Sequence, residues 1–291
     1  MKEIVVISGK GGTGKTSLTA AFAYLAGDDV ILADCDVDAA DMHLLMKPDV
    51  VRKENFHSGE IAHIVQEDCT LCGKCQEVCR FGAIKFEKDQ YIVNRLSCEG
   101  CGYCARICPA ESIINERPKV GEWYISNIKT NSHMVHARLN IGADNSGKLV
   151  AKVKNEAKKL AESLNKNLIL IDGSPGIGCP VVSSLSGASL VVLVTEPSIS
   201  GIHDLKRVYQ LVENFNIPAG CIINKADINT YKSEEIKSFL KENNIQLIAE
   251  LPYNEEFTKA MTLGKTILEI ENKQLSELML NAWESILSLT S

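Results

Sequence analysis

Eight of the chain's 11 cysteines fall in two runs of identical spacing, Cys69, Cys72, Cys75, Cys79 and Cys98, Cys101, Cys104, Cys108. Each run is C-x2-C-x2-C-x3-C, so any fold that accepts them must gather thiols at close quarters. Three cysteines at successive two-residue gaps wrap one corner of an iron–sulfur cubane, whereas structural zinc sites usually pair two C-x2-C units into one tetrahedral set. A disulfide framework belongs to secreted chains, and the opening Met1-Lys2-Glu3, followed only by Ile4 to Ile7 before Ser8 and glycines, does not read as a signal peptide. The runs are also an internal repeat: Phe81-Gly82-Ala83-Ile84 after the first answers Ala110-Glu111-Ser112-Ile113 after the second.

The second run continues into Pro109, and over about 40 residues the segment resembles two-cluster bacterial ferredoxins. That resemblance implies that the fourth cysteine of each run serves the other cluster. Cys69, Cys72, Cys75 and Cys108 would then hold one [4Fe–4S] cluster, and Cys98, Cys101, Cys104 and Cys79 the second. Arg80 departs from the pattern, standing where Pro is expected, so the fixed bend after Cys79 is lost. A cation there would raise the potential of a neighbouring cluster, or would be an exposed arginine of little effect.

A second constraint lies near Met1. Glu3 to Ser8 predicts a buried strand, Gly9-Lys10-Gly11-Gly12-Thr13-Gly14-Lys15-Thr16 a tight loop, and Ser17 to Ala26 a helix. Strand, glycine loop and helix in that order are the context of a phosphate-binding P-loop. Glycines let backbone N–H groups close on phosphates, and the helix adds the positive end of its dipole. Gly9, Gly11, Gly12, Thr13, Gly14, Lys15, Thr16 and Ser17 are therefore candidate nucleotide contacts, with Lys15 reaching the β- and γ-phosphates and Thr16 holding Mg²⁺.

Lys10, directly after the first glycine, makes this loop resemble the deviant Walker A of the MinD, ParA and nitrogenase iron protein superfamily of P-loop ATPases. The resemblance extends along nearly all of the chain outside the cysteine segment. Val30 to Ala33, ending in Asp34-Cys35-Asp36, looks like the first switch, and Leu168 to Ile171, ending in Asp172-Gly173-Ser174-Pro175-Gly176, like Walker B and the second switch. Thr195-Glu196-Pro197-Ser198 and Ser200 to Leu205 are similar to that group as well. The resemblance implies an ATP-sandwich homodimer with Lys10, Lys15 and Asp36 as catalytic residues. Lys10 would reach the partner's phosphates, Asp36 would orient water, Asp34 and Asp172 would stand beside Mg²⁺, and Asn224 would contact adenine. Asn224-Lys225-Ala226-Asp227 also spells the N-K-x-D that GTPases use for guanine, so the preference for ATP rests on Lys10 and the aspartate pair. Cys179, seven residues after Asp172, occupies an offset at which the nitrogenase iron protein has a cluster ligand. An intersubunit metal site there is set against a plain structural thiol, which is also the reading of Cys35 and Cys221.

Downstream, Leu190 to Thr195, a helix from Ile202 to Phe215, Gly220 to Asn224 and a helix from Ser233 to Lys241 alternate. This order favours an α/β fold with a mostly parallel sheet covered by helices, ligand lying at the strands' C-terminal ends. The resemblance adds the P-loop NTPase, SIMIBI class, with a small inserted α+β ferredoxin-like domain. Expected boundaries are 1–56 and 119–291 for the ATPase domain and 57–118 for the insert. A helix from Asp38 to Leu45 should precede the insert, and Trp123-Tyr124-Ile125 and His133 to His136 should form two short strands behind it. His133 and His136 read as surface or hydrogen-bonded residues. Leu149, Val153, Ala157, Leu160 and Leu164 make the buried stripe of a helix over 147–165.

A formal net charge of −6 argues against nucleic acid, and Lys152 to Lys154 with Lys158-Lys159 read as solvated helix charges. No apolar run approaches the ~20 residues of a membrane span, and Glu277 and Glu284 sit where an interfacial helix over 274–289 would want Lys and Arg. Unprotected thiolate clusters imply a reducing cytoplasm. The reading is an ATP-binding and hydrolysing iron–sulfur protein that couples nucleotide-driven dimer closure to electron transfer toward a metalloprotein or its cofactor. Its cofactors are ATP, Mg²⁺ and two [4Fe–4S] clusters, and its partners a second copy and a redox or metallocofactor protein. The alternative is an ATP-dependent cluster carrier or scaffold.

Overall fold

The computed structural model describes residues 1–290, and they divide into two compact units. The first comprises Met1–Glu54, Glu122–Leu139 and the chain from Ser146 onward; the second comprises Asn55–Gly121 and Asn140–Asn145. In chain order the strands are β1 (Lys2–Ile7), β2 (Val30–Asp34), β3 (Asp49–His57), β4 (Ile61–Ile64), β5 (Ile84–Glu87), β6 (Gln90–Val93) and β7 (Ile113–Glu116). They continue as β8 (Lys119–Asn127), β9 (His133–Leu139), β10 (Leu168–Asp172), β11 (Leu190–Thr195), β12 (Ala219–Asn224) and β13 (Gln246–Leu251).

A large sheet runs β13-β12-β11-β1-β10-β2-β9-β8-β3, and the pairings from β13 through β9 are parallel. Ile4 to Ile7 are wholly buried, which is why β1 reads as an unbroken apolar run: a parallel sheet covered by helices leaves neither face in water. Register places Asp172 beside both Val6 and Asp34, so the ends of β1, β10 and β2 form one carboxylate-bearing edge. Trp123 to Ile125 and His133 to His136 do lie in strands, but β8 and β9 are longer and extend the large sheet itself.

The Lys15–Ala26 helix packs with the terminal Lys273–Leu289 helix, where the Phe22 and Trp283 rings stack at 5.6 Å. Leu275, Met279, Ala282, Trp283 and Ile286 are buried there, so this amphipathic stripe is core. The Ser146–Ser163 helix packs against β2 and β9 through Leu149, Val150, Val153, Ala157 and Ala161. Leu164 falls outside the expected stripe, being exposed, because the helix ends at Ser163 and Asn165 turns into the left-handed region (φ 54°). Lys154 is a correction to the solvated reading. It sits one turn after Val150 on the buried side, pairs with Glu3 at 3.0 Å and donates to the carbonyls of Ser184 and Ser186, both at 2.6 Å. The helix expected from Asp38 begins only at Met42, since the preceding turn stays with the β2 loop and Ala39 N donates to Asp36 O (3.2 Å). His136 is buried against Tyr124 and bonded to Ser126 (2.9 Å), and burial lowers its pKa to about 4, so it is neutral at pH 7. Among the described residues no helix is long and apolar enough to cross a membrane.

The second unit pairs β4 with β7 and β5 with β6, both antiparallel, over a small core of Ala62, Ile64, Cys75, Ile84 and Ile113. Asn140–Asn145 joins it, Asn140 N donating to Val120 O at 2.9 Å. The repeat is visible in its turns: Gly73 (φ 77°) and Gly102 (φ 68°) each start a short helix in the left-handed region. A Cβ at either would stand 2.9 Å from a neighbour, the Tyr91 hydroxyl or Asn115 Nδ2. The left-handed torsion favours glycine at both, and either side-chain end would have to move aside for a Cβ.

Trp283→Ala removes the partner of Phe22 and should destabilise the first unit by about 3–5 kcal/mol, the cost of emptying a buried aromatic site. Denaturant unfolding followed by far-UV circular dichroism measures it, and a loss below ~1 kcal/mol would mean that the terminal helix is dispensable to the core.

Candidate nucleotide site and cysteine cavities

The loop after β1 turns through Gly12 (φ 79°) and Gly14 (φ 91°) before the helix begins at Lys15. Space as well as torsion is restricted here. A Cβ on Gly14 would lie 2.4 Å from Asn224 Nδ2, and one on Gly9 would lie 2.4 Å from the Asp204 carbonyl. Asn224, at the end of β12, fixes the loop by donating to Thr13 O at 2.8 Å. Lys225 supports it too, reaching Gly12 O at 3.3 Å. Gly11 has open space around it, and Ser17 reaches Met261 Sδ at 3.6 Å.

Below the loop, Asp172 gathers the other groups. Its carboxylate accepts from Thr16 Oγ1 (2.8 Å) and Thr19 Oγ1 (2.9 Å) and pairs with Lys15 Nζ (2.9 Å), and Asp36 lies 3.6 Å from the same ammonium. Asp34 Oδ1 accepts from Asp36 N at 3.1 Å, while Asp34 Oδ2 is buried with no hydrogen-bond partner among the described residues. The chain itself thus supplies three buried carboxylates and one buried ammonium. Burial and the neighbouring Asp172 push the Asp34 carboxyl well above the ordinary range despite Lys15; burial likewise raises Asp36. Burial would lower Lys15, but Asp172 and Asp36 outweigh it and hold the lysine above its usual value. An orphaned carboxylate oxygen in a surplus of negative charge is what a divalent cation answers, so Asp34, Asp172 and the Thr16 hydroxyl suit Mg²⁺.

Lys10 does not point into this group. Its ammonium pairs with Glu196 (2.6 Å) and donates to Ser198 (3.1 Å) and Ser200 (2.8 Å), and Glu196 is shared with Lys225 (2.8 Å). Partial burial works against the Glu196 carboxylate, yet the two lysines bring its pKa below the ordinary range. Asp227 is also engaged, accepting from Tyr253 N at 2.6 Å. Thr19 and the hold on Lys10 escaped sequence reasoning; the signal for Thr19 was its spacing of one helical turn from Lys15.

In the second unit the eight cysteines sort crosswise. Cys69, Cys72, Cys75 and Cys108 line one small pocket, with Cys72 at its exposed rim; Cys79, Cys98, Cys101 and Cys104 line another, with Cys101 at its rim. Cys79 Sγ accepts from Ala83 N and Cys108 Sγ meets Ser112 Oγ, both at 3.3 Å. Burial raises the Cys75 and Cys104 thiols, whereas at Cys108 the cost of burial is outweighed by the Ser112 hydroxyl and nearby amides, which lower its pKa. Four cysteines around each pocket, with a donor aimed at one sulfur of each quartet, fit a cubane held by thiolates. Cys179 is exposed at the first residue of the Cys179–Leu185 helix, and Cys35 and Cys221 are buried, with burial raising both thiols.

In the metal-free protein a raised carboxyl pKa means that stability falls as pH rises from about 3.8 through the raised value. Asp34→Asn keeps the acceptor for Asp36 N and removes the repulsion with Asp172. It should therefore raise the melting temperature in chelator, by about 2–4 °C per kcal/mol recovered, while abolishing stabilisation by Mg²⁺-nucleotide. A lower melting temperature in chelator would show that the ionised carboxylate stabilises the metal-free fold.

A family model, the CobQ/CobB/MinD/ParA nucleotide binding domain, matches residues 4–267. An uncharacterized protein of Methanocaldococcus jannaschii is 30% identical over 289 residues, covering 98% of this chain and 96% of its own. Ferredoxin-1 of Chlorobaculum tepidum is 35% identical over 60 residues, 19% of this chain and 97% of that protein. In fold, the septum site-determining protein MinD of Pyrococcus horikoshii, solved with Mg-ADP, superposes with a TM-score of 0.60 at 17% identity, covering 100% of this chain and 98% of its own. With nearly its whole length matched, the chain belongs to the CobQ/CobB/MinD/ParA nucleotide-binding family.

Proposed function

We propose that this protein binds and hydrolyses MgATP, closes as an ATP-sandwich homodimer, and couples that closure to electron transfer toward a metalloprotein or its cofactor. One observation carries the reading: a chain whose glycine loop and strand-end aspartates suit a phosphate also has eight cysteines sorted into two quartets. Quartets of this kind suit retained clusters, which store and pass single electrons when present. Their place in the chain, between the Asp34-Cys35-Asp36 loop and Asp172, puts them in the connection between the two segments that face the γ-phosphate. Segments of that kind reorder when the phosphate leaves, which supports coupling.

The chain's own residues account for the hydrolytic step by positioning and charge. Backbone N–H groups from Gly11 to Thr16 receive the phosphates. Lys15, already oriented by Asp172, neutralises charge on the β- and γ-phosphates, and Asp36 at 3.6 Å from Lys15 orients the attacking water. Thr16, Asp34 and Asp172 would hold Mg²⁺, which supplies further charge neutralisation. Asn224, at the loop and the end of β12, contacts the adenine. Lys10 must leave Glu196, Ser198 and Ser200 to serve a partner's nucleotide, so the isolated subunit hydrolyses slowly.

Lys10→Ala should abolish ATP-dependent dimerisation in light scattering and lower hydrolysis by roughly 10²–10³-fold, the size of a lost electrostatic stabiliser. Glu196→Gln, which loosens the hold on Lys10, should lower the ATP concentration for half-dimerisation roughly two- to five-fold, the range of a partly exposed pair. Normal hydrolysis by Lys10→Ala would sink the sandwich model. For the coupling itself, cluster midpoints are measured by anaerobic titration under electron paramagnetic resonance with and without MgATP. A shift of about 59 mV or more, tenfold for one electron, is expected, and identical midpoints would overturn coupling.

A further inference from the structure

The two cysteine cavities are built by one repeated sequence, so the places where the repeat differs are a controlled comparison. Aligning the runs pairs Thr70 with Glu99, Lys74 with Tyr103 and Ala83 with Ser112. Thr70, Lys74 and Ser112 line the cavity of Cys69, Cys72, Cys75 and Cys108. Glu99, Tyr103 and Ala83 line the other. The first wall thus carries a cation at position 74 and a buried serine hydroxyl at 112; the second carries an anion at 99, an exposed phenol at 103 and, in the place of the serine, the methyl group of Ala83.

Ser112 and its counterpart Ala83 are the buried pair of this set, and Ser112 Oγ lies 3.3 Å from Cys108 Sγ. Either atom could donate while the cysteine is a thiol. A sulfur bound to iron has lost its proton and can only accept, so Ser112 then becomes the donor. Its counterpart, Ala83, offers Cys79 Sγ only a backbone amide at 3.3 Å.

We infer that Ser112 makes the two cluster sites unequal, setting the site of Cys69, Cys72, Cys75 and Cys108 at the higher reduction potential. This rests on the reading that both quartets hold [4Fe–4S] clusters. Reduction adds one electron and one negative charge to a cluster, with no bond made or broken. A donor to a ligand sulfur stabilises the more negative state and so favours reduction. Lys74 and Glu99 act in the same direction, but both are exposed and salt screens them, whereas the part-buried contact from the buried Ser112 hydroxyl is a direct hydrogen bond and persists at high salt. Half-reduced protein therefore keeps its electron at the Cys108 site, and the low-potential site fills second.

The test is a mediated reductive titration at high salt of the wild-type chain, Ser112→Ala, Ser112→Thr and Ala83→Ser, with iron and sulfide assayed on each. Ser112→Ala copies what the repeat already tolerates at position 83. It should lower the upper midpoint alone, by about tenfold in the reduction equilibrium, while Ser112→Thr retains the wild-type value. Ala83→Ser should raise the lower midpoint and narrow the gap. Wild-type protein without about eight iron atoms per chain would refute the cluster reading itself. Full iron with both midpoints unmoved in Ser112→Ala, or with the lower one moving, overturns the inference alone. Should Ser112→Ala fail to assemble clusters, Ala83→Ser decides: an unmoved lower midpoint overturns it.

Discussion

The candidate nucleotide site depends on the buried carboxylate of Asp172. It is wholly inaccessible, and Lys15, Thr16 and Thr19 all converge on it from the first turns of the P-loop helix. Parallel pairing delivers it: β10 lies between β1 and β2, and their common register sets Asp172 beside Asp34 and beneath the loop that leaves β1. An ionised group with no solvent is tolerable only when paired and hydrogen-bonded, and Asp172 receives both kinds of support from one helix. The cost falls on its neighbours. Asp34 has no comparable set of donors, and its carboxyl is pushed up by burial and by Asp172 itself. The fold therefore holds a deficit of positive charge at the point where a cation and a nucleotide would enter.

Lys10 is the second charge whose position matters. The loop that frees Lys15 to face inward turns Lys10 toward Glu196, Ser198 and Ser200, at the start of the Ile199–Asn214 helix. Glu196 in turn holds Lys225, which braces Gly12 O, so one partly exposed carboxylate ties the P-loop to the end of β12. Pairs of this exposure contribute little to stability, so the hold on Lys10 is a weak one.

Much of this was legible in the residues. The apolar run of Ile4 to Ile7, the glycine loop and the strand-end aspartates specify a parallel sheet with ligand at one edge, because each signal is local and periodic. The crosswise sorting of the cysteines is what the resemblance to two-cluster ferredoxins implies; spacing alone says only that thiols gather. What was not legible is non-local. Lys154 looked like a surface charge because the helical pattern shows only that it lies one turn from Val150, while Glu3 and the Ser184 and Ser186 carbonyls that accept it come from distant segments. Leu164 satisfied the stripe's period but lies just past Ser163, where the helix ends before the left-handed turn at Asn165. The capture of Lys10 by Glu196 spans 186 positions of sequence and had no periodic trace.

The second unit shows the limit of reading a repeat as two equal halves. Spacing dictates that thiols gather, and the left-handed glycines 73 and 102 dictate that each run turns alike. Neither constrains the positions between, and there the halves diverge: Arg80 against Pro109, Lys74 against Tyr103, Ala83 against Ser112. Arg80 is exposed and lines neither cavity, so proximity in sequence to Cys79 is a poor guide to its electrostatic effect. Ser112 is buried and touches sulfur, where a low local dielectric lets one hydroxyl outweigh a screened surface charge. Because the fourth cysteine of each run lines the other run's cavity, a substitution four residues past Cys108 acts on the site built by the first run, not on its own. The exchange that closes the two cavities is thus also what transmits a difference in one half to the site formed by the other.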